Sequence, residues 1–169
     1  MTRPSVLPFA SLGEVPLHVA LVEPEIPPNT GNVARLCAAT GCALHLVEPL
    51  GFRIDDRELK RAGLDYWDQV KLVVHPSLDA FLSETASLQR WFFSTRAQRV
   101  YSQAAFSAGD VLIFGKETRG LPRDLLARYP ERALRIPMRP DGVRSINLST
   151  AAGIATYAAL EKLGFPDLA

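Results

Sequence analysis

Short apolar runs that alternate with helix-forming stretches are the feature that most restricts the fold of this chain. Six runs rich in β-branched and aromatic residues predict buried strands, at residues 17–22, 43–47, 70–74, 91–94, 111–114 and 134–137. The stretches between them predict helices, at residues 32–40, 55–62 and 77–83, after residue 122, and at 146–163. Since strands that are apolar on both faces need cover on both sides, the pattern predicts an α/β domain with a mostly parallel sheet covered by helices.

Length and composition set the expected organisation of the chain. With 169 residues it is long enough for one domain with a core and short for two. Residues 1–16 contain three prolines and are interpreted as a loose, flexible arm ahead of a single domain at 17–169. No apolar run approaches the roughly 18 residues of a membrane span, and the first residues lack the apolar stretch of a signal peptide. Two cysteines fit a reducing, cytoplasmic compartment.

Cys37, Cys42 and His45 lie close enough in sequence to suggest a metal site. However, the chain has no second cysteine pair, and the other histidines, His18 and His75, are scattered in the sequence. The two cysteines are therefore interpreted as small buried helix residues, and no metal is expected.

Three polar, glycine-containing loops follow predicted strands. The first loop spans residues 23–32, the second 114–122 and the third 136–149. Ligands of open parallel sheets bind beyond the carboxyl ends of the strands, so these loops are expected to form the binding site. The chain contains neither G-x-G-x-x-G nor G-x-x-x-x-G-K-[ST], which argues against a dinucleotide or triphosphate site.

Polar residues of the first loop and of the helix after it allow two interpretations. Asn29 and Thr30 can simply cap the helix predicted to begin near Asn32. Arg35, one turn inside that helix among mostly apolar neighbours, is either a surface arginine or a phosphate contact that uses its fixed set of donors.

The second loop also has an ordinary and a functional interpretation. Glycines at both ends of residues 115–120 either make a tight turn or let the backbone approach a planar ligand. Glu117 is the only carboxylate of this loop. It either forms a surface ion pair with Lys116 or Arg119, or it lies in a cleft, where it can accept hydrogen bonds or hold an arginine.

Of the three loops, the third has the sequence pattern that most strongly indicates a binding site. Arg144, Ser145, Asn147 and Ser149 gather where a long apolar helix is predicted to begin. Ser145 is expected to be the N-cap. Asn147, a poor helix former placed in the first turn, is expected to bind something other than its own backbone.

Basic residues are concentrated in two segments, although the net charge of the chain is only +1. The first segment contains Arg53, Arg57, Lys60 and Arg61, and the second contains Arg119, Arg123, Arg128, Arg132, Arg135, Arg139 and Arg144. Solvated helix faces explain most such clusters. The preference for arginine in the second segment also suits recognition of RNA phosphates, which in this chain requires a local basic patch.

Taken together, the three loops resemble the three motifs of the knotted SpoU-TrmD (SPOUT) methyltransferase superfamily. The matching stretches are Asn29-Thr-Gly-Asn-x-x-Arg35, Phe114-Gly-x-Glu-Thr-x-Gly-Leu-Pro122, and Ile136-Pro-Met followed by Ser145-x-Asn-Leu-Ser149. The chain is most similar to small members that act on the wobble nucleotide of tRNA, through Glu23-Pro-Glu-Ile-Pro-Pro-Asn-Thr-Gly-Asn32, Glu48-Pro-x-Gly-Phe52 and Arg61-Ala-Gly-Leu-Asp-Tyr66. The resemblance extends from about residue 17 to residue 166.

The resemblance implies a deep trefoil knot in the C-terminal half and an obligate homodimer packed through the knot region, with Tyr157 and the last helix at the interface. It also implies S-adenosylmethionine as the cofactor, bound in a bent shape inside the knot. The residues that it assigns to the cofactor are Ser94, Thr95, Gly115, Glu117, Ile136, Met138, Ser145 and Leu148.

The implied activity is 2′-O-methylation of cytidine or modified uridine at position 34 of tRNA, with the anticodon stem-loop as the partner. Arg35 is assigned to the reacting nucleotide, Asn147 and Ser145 to orientation of the hydroxyl or its phosphate, Asn29 to support of the first loop, and Glu117 to anchoring the site. Related enzymes are thought to use the arginine as the base. A guanidinium keeps its proton up to about pH 12, so a phosphate oxygen or a water is an equally good acceptor.

Three alternatives remain open at the level of sequence. The first is a related 2′-O-methyltransferase that acts on ribosomal RNA or on another tRNA position. The second is a non-catalytic RNA-binding protein of the same fold. The third is an unrelated α/β enzyme with a small-molecule substrate, which would gain no thermal stability from S-adenosylmethionine.

Overall fold

A single six-stranded sheet forms the centre of the molecule. The computed structural model describes residues 4–55 and 57–169. Its strands are β1 His18–Val22, β2 Ala43–Val47, β3 Lys71–His75, β4 Arg90–Phe93, β5 Val111–Phe114 and β6 Ala133–Leu134. All neighbouring strands are parallel, in the order β3-β2-β1-β5-β4-β6. The predicted α/β class with a mostly parallel sheet is confirmed, whereas the knot stays a prediction.

In the described part of the chain, four α-helices lie between strands and a fifth follows the last strand. They are α1 Pro27–Thr40, α2 Arg57–Gly63, α3 Leu78–Glu84, α4 Arg123–Arg128 and α5 Leu148–Lys162. α1 begins five residues before the predicted start, because prolines fit the first positions of a helix, where the backbone N–H has no partner to lose. It ends where predicted, at Gly41, whose φ of 76° is left-handed. Asp56, which belongs to the predicted helix 55–62, lies outside the described residues.

The helices cover both faces of the sheet with apolar side chains. On one face, α1 contributes Val33 and Cys37 and α5 contributes Ala152 and Ala159 to the larger core. On the other face, α3 and α4 pack through residues such as Phe81 and Leu125. Because each strand is buried on both sides, the near-continuous apolar runs of the sequence are explained. Cys42 is buried as predicted but lies between α1 and β2 rather than in a helix.

The direction of strand addition reverses between β1 and β5. From β1 the chain adds β2 and β3 on one side, whereas β5, β4 and β6 lie on the other. Loops that leave adjacent strands at such a switch point diverge to opposite faces and open a crevice. The first and second loops follow β1 and β5, so the topology places them at this crevice.

The N-terminal residues do not form the loose arm that their prolines suggested. Val6 forms a parallel bridge with Leu72 of β3, and Leu12 and Val15 are buried in a small cluster with Val73. Burial of these side chains stabilises the segment, at about 25 cal/mol per Å² of apolar surface. Residues 1–3 of the expected arm lie outside the described residues.

The three histidines, scattered in sequence, form one buried chain across β1, β2 and β3. His18 Nδ1 lies 2.9 Å from His45 Nε2, and His45 Nδ1 lies 2.9 Å from His75 Nε2. His75 Nδ1 lies 3.2 Å from a carboxylate oxygen of Glu84. Since the carboxylate can only accept, each neutral imidazole donates from Nδ1, and those of His45 and His75 accept at Nε2. The ring nitrogens that face one another are therefore engaged in hydrogen bonds.

This chain of histidines makes the stability of the protein sensitive to mild acid. Burial lowers the pKa of His18 from 6.5 to about 4, and burial also lowers the pKa values of His45 and His75, while Glu84 opposes the shift at His75. The unfolded chain binds protons below pH 6.5, whereas the folded chain does not until the pH approaches the lowered values. The stabilisation is thus complete above pH 6.5 and is lost as the pH falls towards 4.

We expect the free energy of unfolding to fall by about 1 kcal/mol or more for each pH unit between pH 6.5 and 5. Urea titrations followed by tryptophan fluorescence at pH 7.5, 6.5, 5.5 and 5.0 measure this slope. These are the only three histidines in the sequence, and most carboxylates titrate at lower pH, so the window isolates them. A stability that stays constant from pH 7.5 to 5.0 would contradict the prediction.

Candidate active site

A cleft of about 880 Å³ lies beyond the carboxyl ends of the strands. Its walls come from the residues that follow four strands, with Glu23 after β1, Ser94 after β4, Gly115 after β5 and Ile136 after β6. Such a volume accommodates a drug-sized ligand. The cleft is therefore the candidate site that the topology predicted.

The structure places nearly all of the predicted site residues in the wall of this cleft. Every residue assigned to the cofactor lines it, namely Ser94, Thr95, Gly115, Glu117, Ile136, Met138, Ser145 and Leu148. Asn29 and Asn147, assigned to the chemistry, also line it. Arg35 is the one predicted site residue that does not.

Glu117 joins the second loop to the start of α1. One carboxylate oxygen accepts from the backbone N–H of Glu25 at 2.8 Å. The other accepts from the backbone N–H of Ile26 at 2.8 Å and from the amide of Asn29 at 3.1 Å. Ile26, the N-cap of α1, makes no side-chain cap hydrogen bond, so Glu117 supplies from another loop the negative charge that favours a helix N-terminus.

These contacts decide between the earlier interpretations of Glu117. Its carboxylate binds the first loop, and the nearby ion pair is instead between Lys116 and Glu23, at 3.9 Å. With both oxygens engaged, the carboxylate positions the first loop. The contact of Glu117 with a cofactor is then expected through its backbone or methylene groups.

Asn147 links the third loop to the same network. Its amide N–H donates to the side-chain oxygen of Asn29 at 3.0 Å. Its own side-chain oxygen accepts from the backbone N–H groups of Ser149 and Thr150. Asn147 is therefore the N-cap of α5, and the prediction that Ser145 caps this helix was wrong because the helix begins two residues later, at Leu148. The amide of Asn147 binds both its own backbone and the first loop.

Asn29 occupies the centre of the network, where it contacts Glu117 and Asn147. It is 7% exposed and lies in the first turn of α1 rather than at its N-cap. Thr30, also inside the helix, is fully buried, and its hydroxyl makes no hydrogen bond among the described residues. Neither residue caps the helix, as one of the two interpretations had allowed, because the helix begins at Pro27.

Arg35 lies on another side of α1 from Asn29. Six residues separate them, which corresponds to about 9 Å along the helix axis and a rotation of about 120°. The guanidinium carbon of Arg35 lies 5.1 Å from the ring centroid of Tyr66. The side chain is exposed and does not line the cleft.

Two residues that support the first loop were not singled out by the sequence analysis. Glu25 accepts from the hydroxyl of Thr118 at 2.6 Å, and this hydrogen bond lowers the pKa of Glu25. Gly51 packs so closely against Glu25 that a Cβ atom at Gly51 would lie 2.7 Å from the Glu25 Cα. Both belong to quoted motifs, but sequence spacing does not reveal a contact between separate loops.

Other chemistry that the sequence raised can be tested against the geometry. Within residues 4–55 and 57–169, no group of histidine, cysteine or carboxylate side chains has an arrangement that could hold a metal ion. In the same part of the chain, no helix is long and apolar enough to cross a membrane.

Comparisons with known proteins agree with this architecture. The SpoU rRNA Methylase family matches residues 16–157. A tRNA (cytidine(34)-2′-O)-methyltransferase of Saccharophagus degradans is 49% identical over 88% of this chain and 96% of its own length. A solved structure that concerns the 2-OH methylation of C/U34 on tRNA is 50% identical, with a TM-score of 0.83 over 88% of this chain and 96% of that one. An AdoMet-bound rRNA methyltransferase from Sinorhizobium meliloti is 26% identical, with a TM-score of 0.79 over 89% of this chain and 57% of that one.

The fold and the cleft define a small α/β enzyme whose site is built from loops at the carboxyl edge of a parallel sheet. The family match covers most of the chain, and the chain belongs to the SpoU methylase family.

Proposed function

We propose that this protein transfers a methyl group from S-adenosylmethionine to the ribose 2′-hydroxyl of the wobble nucleotide of tRNA, which is cytidine or modified uridine at position 34. The observation that carries the proposal is the hydrogen-bonded series Glu117–Asn29–Asn147, which joins three distant loops around one cleft. Relatives of nearly the same length that act on this nucleotide support the choice of substrate. A tRNA substrate places the enzyme in the cytoplasm.

The residues of the cleft fit the cofactor. Ile136, Leu121 and Leu148 provide apolar surface for an adenine ring, and Ser94 and Thr95 provide hydroxyl groups at the end of β4. A Cβ atom at Gly115 would lie 2.1 Å from the backbone of Gly120, so the second loop closes on itself in a way that only glycine permits. The closed loop presents its backbone to the cleft.

The protein's task is to align the ribose oxygen and to let its proton leave. When bound, S-adenosylmethionine supplies an electrophilic methyl group and a neutral leaving group, so the new O–C bond forms as the C–S bond breaks. A hydroxyl is a weak nucleophile at neutral pH, and its alignment and deprotonation dominate the barrier. Ser145 and Asn147, which line the cleft, orient the hydroxyl or its phosphate.

Arg35 acts in the cleft of a partner protomer. It is exposed and does not line the cleft of its own chain, so a second copy of the protein is the simplest source of this side chain at a reacting nucleotide. There it binds a phosphate, and a phosphate oxygen or a water accepts the proton, because the guanidinium is protonated at all ordinary pH values.

The composition of α5 supports a homodimer. In this 15-residue helix the only charged residues are the last two, Glu161 and Lys162. Tyr157 on this helix is 46% exposed. A helix that is apolar on all sides is normally buried, so a second copy is expected to cover its outer face.

Methylation of another RNA is the competing function, since the rRNA methyltransferase from Sinorhizobium meliloti shares the fold. This chain covers only 57% of that protein but 96% of the relative described for position 34, which favours the tRNA substrate. A non-catalytic RNA-binding role is disfavoured because the complete network around Asn29 and Glu117 is present.

A methylation assay with mapped products tests the proposal. Purified protein is incubated with S-adenosylmethionine labelled on its methyl group and with tRNA that carries cytidine or adenosine at position 34. We expect label at the 2′-oxygen of nucleotide 34, and a loss of at least about tenfold with the substituted tRNA. Label at another position, or in ribosomal RNA alone, would overturn the proposed substrate.

A further inference from the structure

The net positive charge of this protein is concentrated in one part of the chain. Residues 90–144 contain eleven basic and five acidic residues, a net charge of +6, although the whole chain has a net charge of only +1. The remaining residues together are therefore acidic. Such a separation of charge creates a local positive field, which a nearly neutral protein needs if it is to bind a polyanion.

A second groove, which we call the arginine groove, lies within this basic part. It has a volume of about 480 Å³ and runs between the loop 96–99 and α4, where Arg123 and Leu126 form the opposite wall. Pro130 also lines it. Arg96 and Arg123 line both this groove and the active-site cleft, so the two are continuous.

Within the described residues, no carboxylate forms an ion pair with the arginines of the groove. Arg96 and Arg123 are exposed. Arg99 is held by backbone carbonyl oxygens, those of Gln103 at 2.8 Å and Glu131 at 3.3 Å, and lies 5.6 Å from the ring centroid of Trp91. Carbonyl groups and rings fix a guanidinium in place but leave its full charge available for a ligand.

We propose that the arginine groove binds the phosphates of the RNA strand that leads away from the nucleotide in the active site. The proposal rests on the proposed function, since the position of the groove matters only if RNA enters the neighbouring cleft. Continuity favours an RNA strand over an acidic protein, because a strand whose reacting ribose is in the cleft must continue along an adjoining surface. The groove increases the affinity for RNA and fixes the position of the strand along the protein surface, and it takes no part in methyl transfer.

Binding of RNA by the double variant R96Q/R123Q tests the groove. Fluorescence anisotropy with end-labelled tRNA gives the dissociation constant at several salt concentrations, independently of methylation. We expect binding about tenfold weaker for each arginine replaced. We also expect the slope of log K against log salt to be less steep by about 1.5, since each phosphate contact contributes about 0.7 to 0.9. Isothermal titration with S-adenosylmethionine checks that the neighbouring cleft is intact.

R53Q is the matched control. Arg53 is 87% exposed, lies outside the basic part and forms an ion pair with Asp55 at 3.2 Å. Its substitution removes one positive charge, as the substitution of each groove arginine does. We expect its tRNA affinity to change less than twofold. If R96Q/R123Q and R53Q had the same tRNA affinity and the same salt slope, the proposal that the groove binds RNA would be wrong. It would also be wrong if R96Q/R123Q weakened the binding of tRNA and of S-adenosylmethionine equally. Methylation by the wild-type enzyme at a nucleotide other than 34 would contradict the proposed substrate but leave the groove in place.

Discussion

The Arg35→Ala enzyme is expected to lose methyl transfer by at least about 1000-fold while it binds S-adenosylmethionine with unchanged affinity. The side chain lies outside the cleft of its own protomer, so its removal leaves the cofactor walls untouched. Methyl transfer slows because the phosphate of the reacting nucleotide lacks the bidentate hydrogen-bond donor that aligns it. Single-turnover methylation of tRNA and isothermal titration with S-adenosylmethionine measure the two quantities separately.

The Arg35→Lys enzyme provides the control for charge. The lysine retains the positive charge but lacks the planar, bidentate hydrogen-bond donors of the guanidinium, so only partial activity is expected. If Arg35→Ala weakened cofactor binding as much as it slowed methyl transfer, the assignment of Arg35 to the nucleotide would be wrong.

Mixed dimers decide which protomer supplies Arg35. Arg35→Ala and Gly115→Ala chains, co-expressed with different tags, form heterodimers with one complete site only if the arginine crosses to its partner. Random pairing then restores about a quarter of wild-type activity, since half of the dimers are mixed and each has one working site. The assay is run at an S-adenosylmethionine concentration that saturates the wild-type site but not the Gly115→Ala site. If Arg35 serves its own protomer, the mixture then stays inactive, and the proposed shared site is excluded.

Gly115→Ala is expected to weaken S-adenosylmethionine binding by about 100-fold or more. The added Cβ would lie 2.1 Å from the Gly120 carbonyl carbon and 2.2 Å from the Leu121 nitrogen, whereas carbon atoms in contact lie about 3.5–4.0 Å apart. The second loop must therefore open by more than 1 Å, and displacements of this size cost about 100-fold at a precisely formed site.

Gly142→Ala is the control for this substitution. A Cβ at Gly142 would meet the side chain of Arg139 at 3.5 Å, an ordinary contact, and Gly142 does not line the cleft. Circular dichroism checks that both variants are folded, and isothermal titration gives their affinities. Cofactor affinity equal to wild type in Gly115→Ala would show that the second loop is not part of the binding site.

The sequence predicted the sheet and most of the cleft because both depend on local signals. β2 and β5 have the bounds expected from their apolar runs, and the parallel direction of the strands agrees with the alternation of strands and helices. The carboxyl ends of parallel strands lie at the same edge of the sheet, so the residues that follow the strands converge there. This geometric rule brings Ser94, Gly115 and Ile136 together although they are distant in sequence.

Features that depend on contacts between elements could not be predicted in the same way. The helix cap was assigned to Ser145 instead of Asn147 because either residue type can cap, and the choice depends on where the third loop ends. The histidine chain depends on a diagonal register across three parallel strands, which no single segment encodes. The orientation of Arg35 follows from counting along α1, but only after the true start of that helix is known.

The network around Asn29 also determines how the two ligands influence each other. Asn29 is hydrogen-bonded to both Glu117 and Asn147. In the proposed complex, Glu117 belongs to the loop assigned to the methyl donor and Asn147 to the segment assigned to the ribose. The ligand that binds first, whether S-adenosylmethionine or RNA, orders these shared side chains. Binding of the second ligand then costs less conformational entropy. The two affinities are therefore coupled, and by thermodynamic reciprocity RNA must tighten the hold on the methyl donor by the same factor with which the donor tightens the hold on RNA.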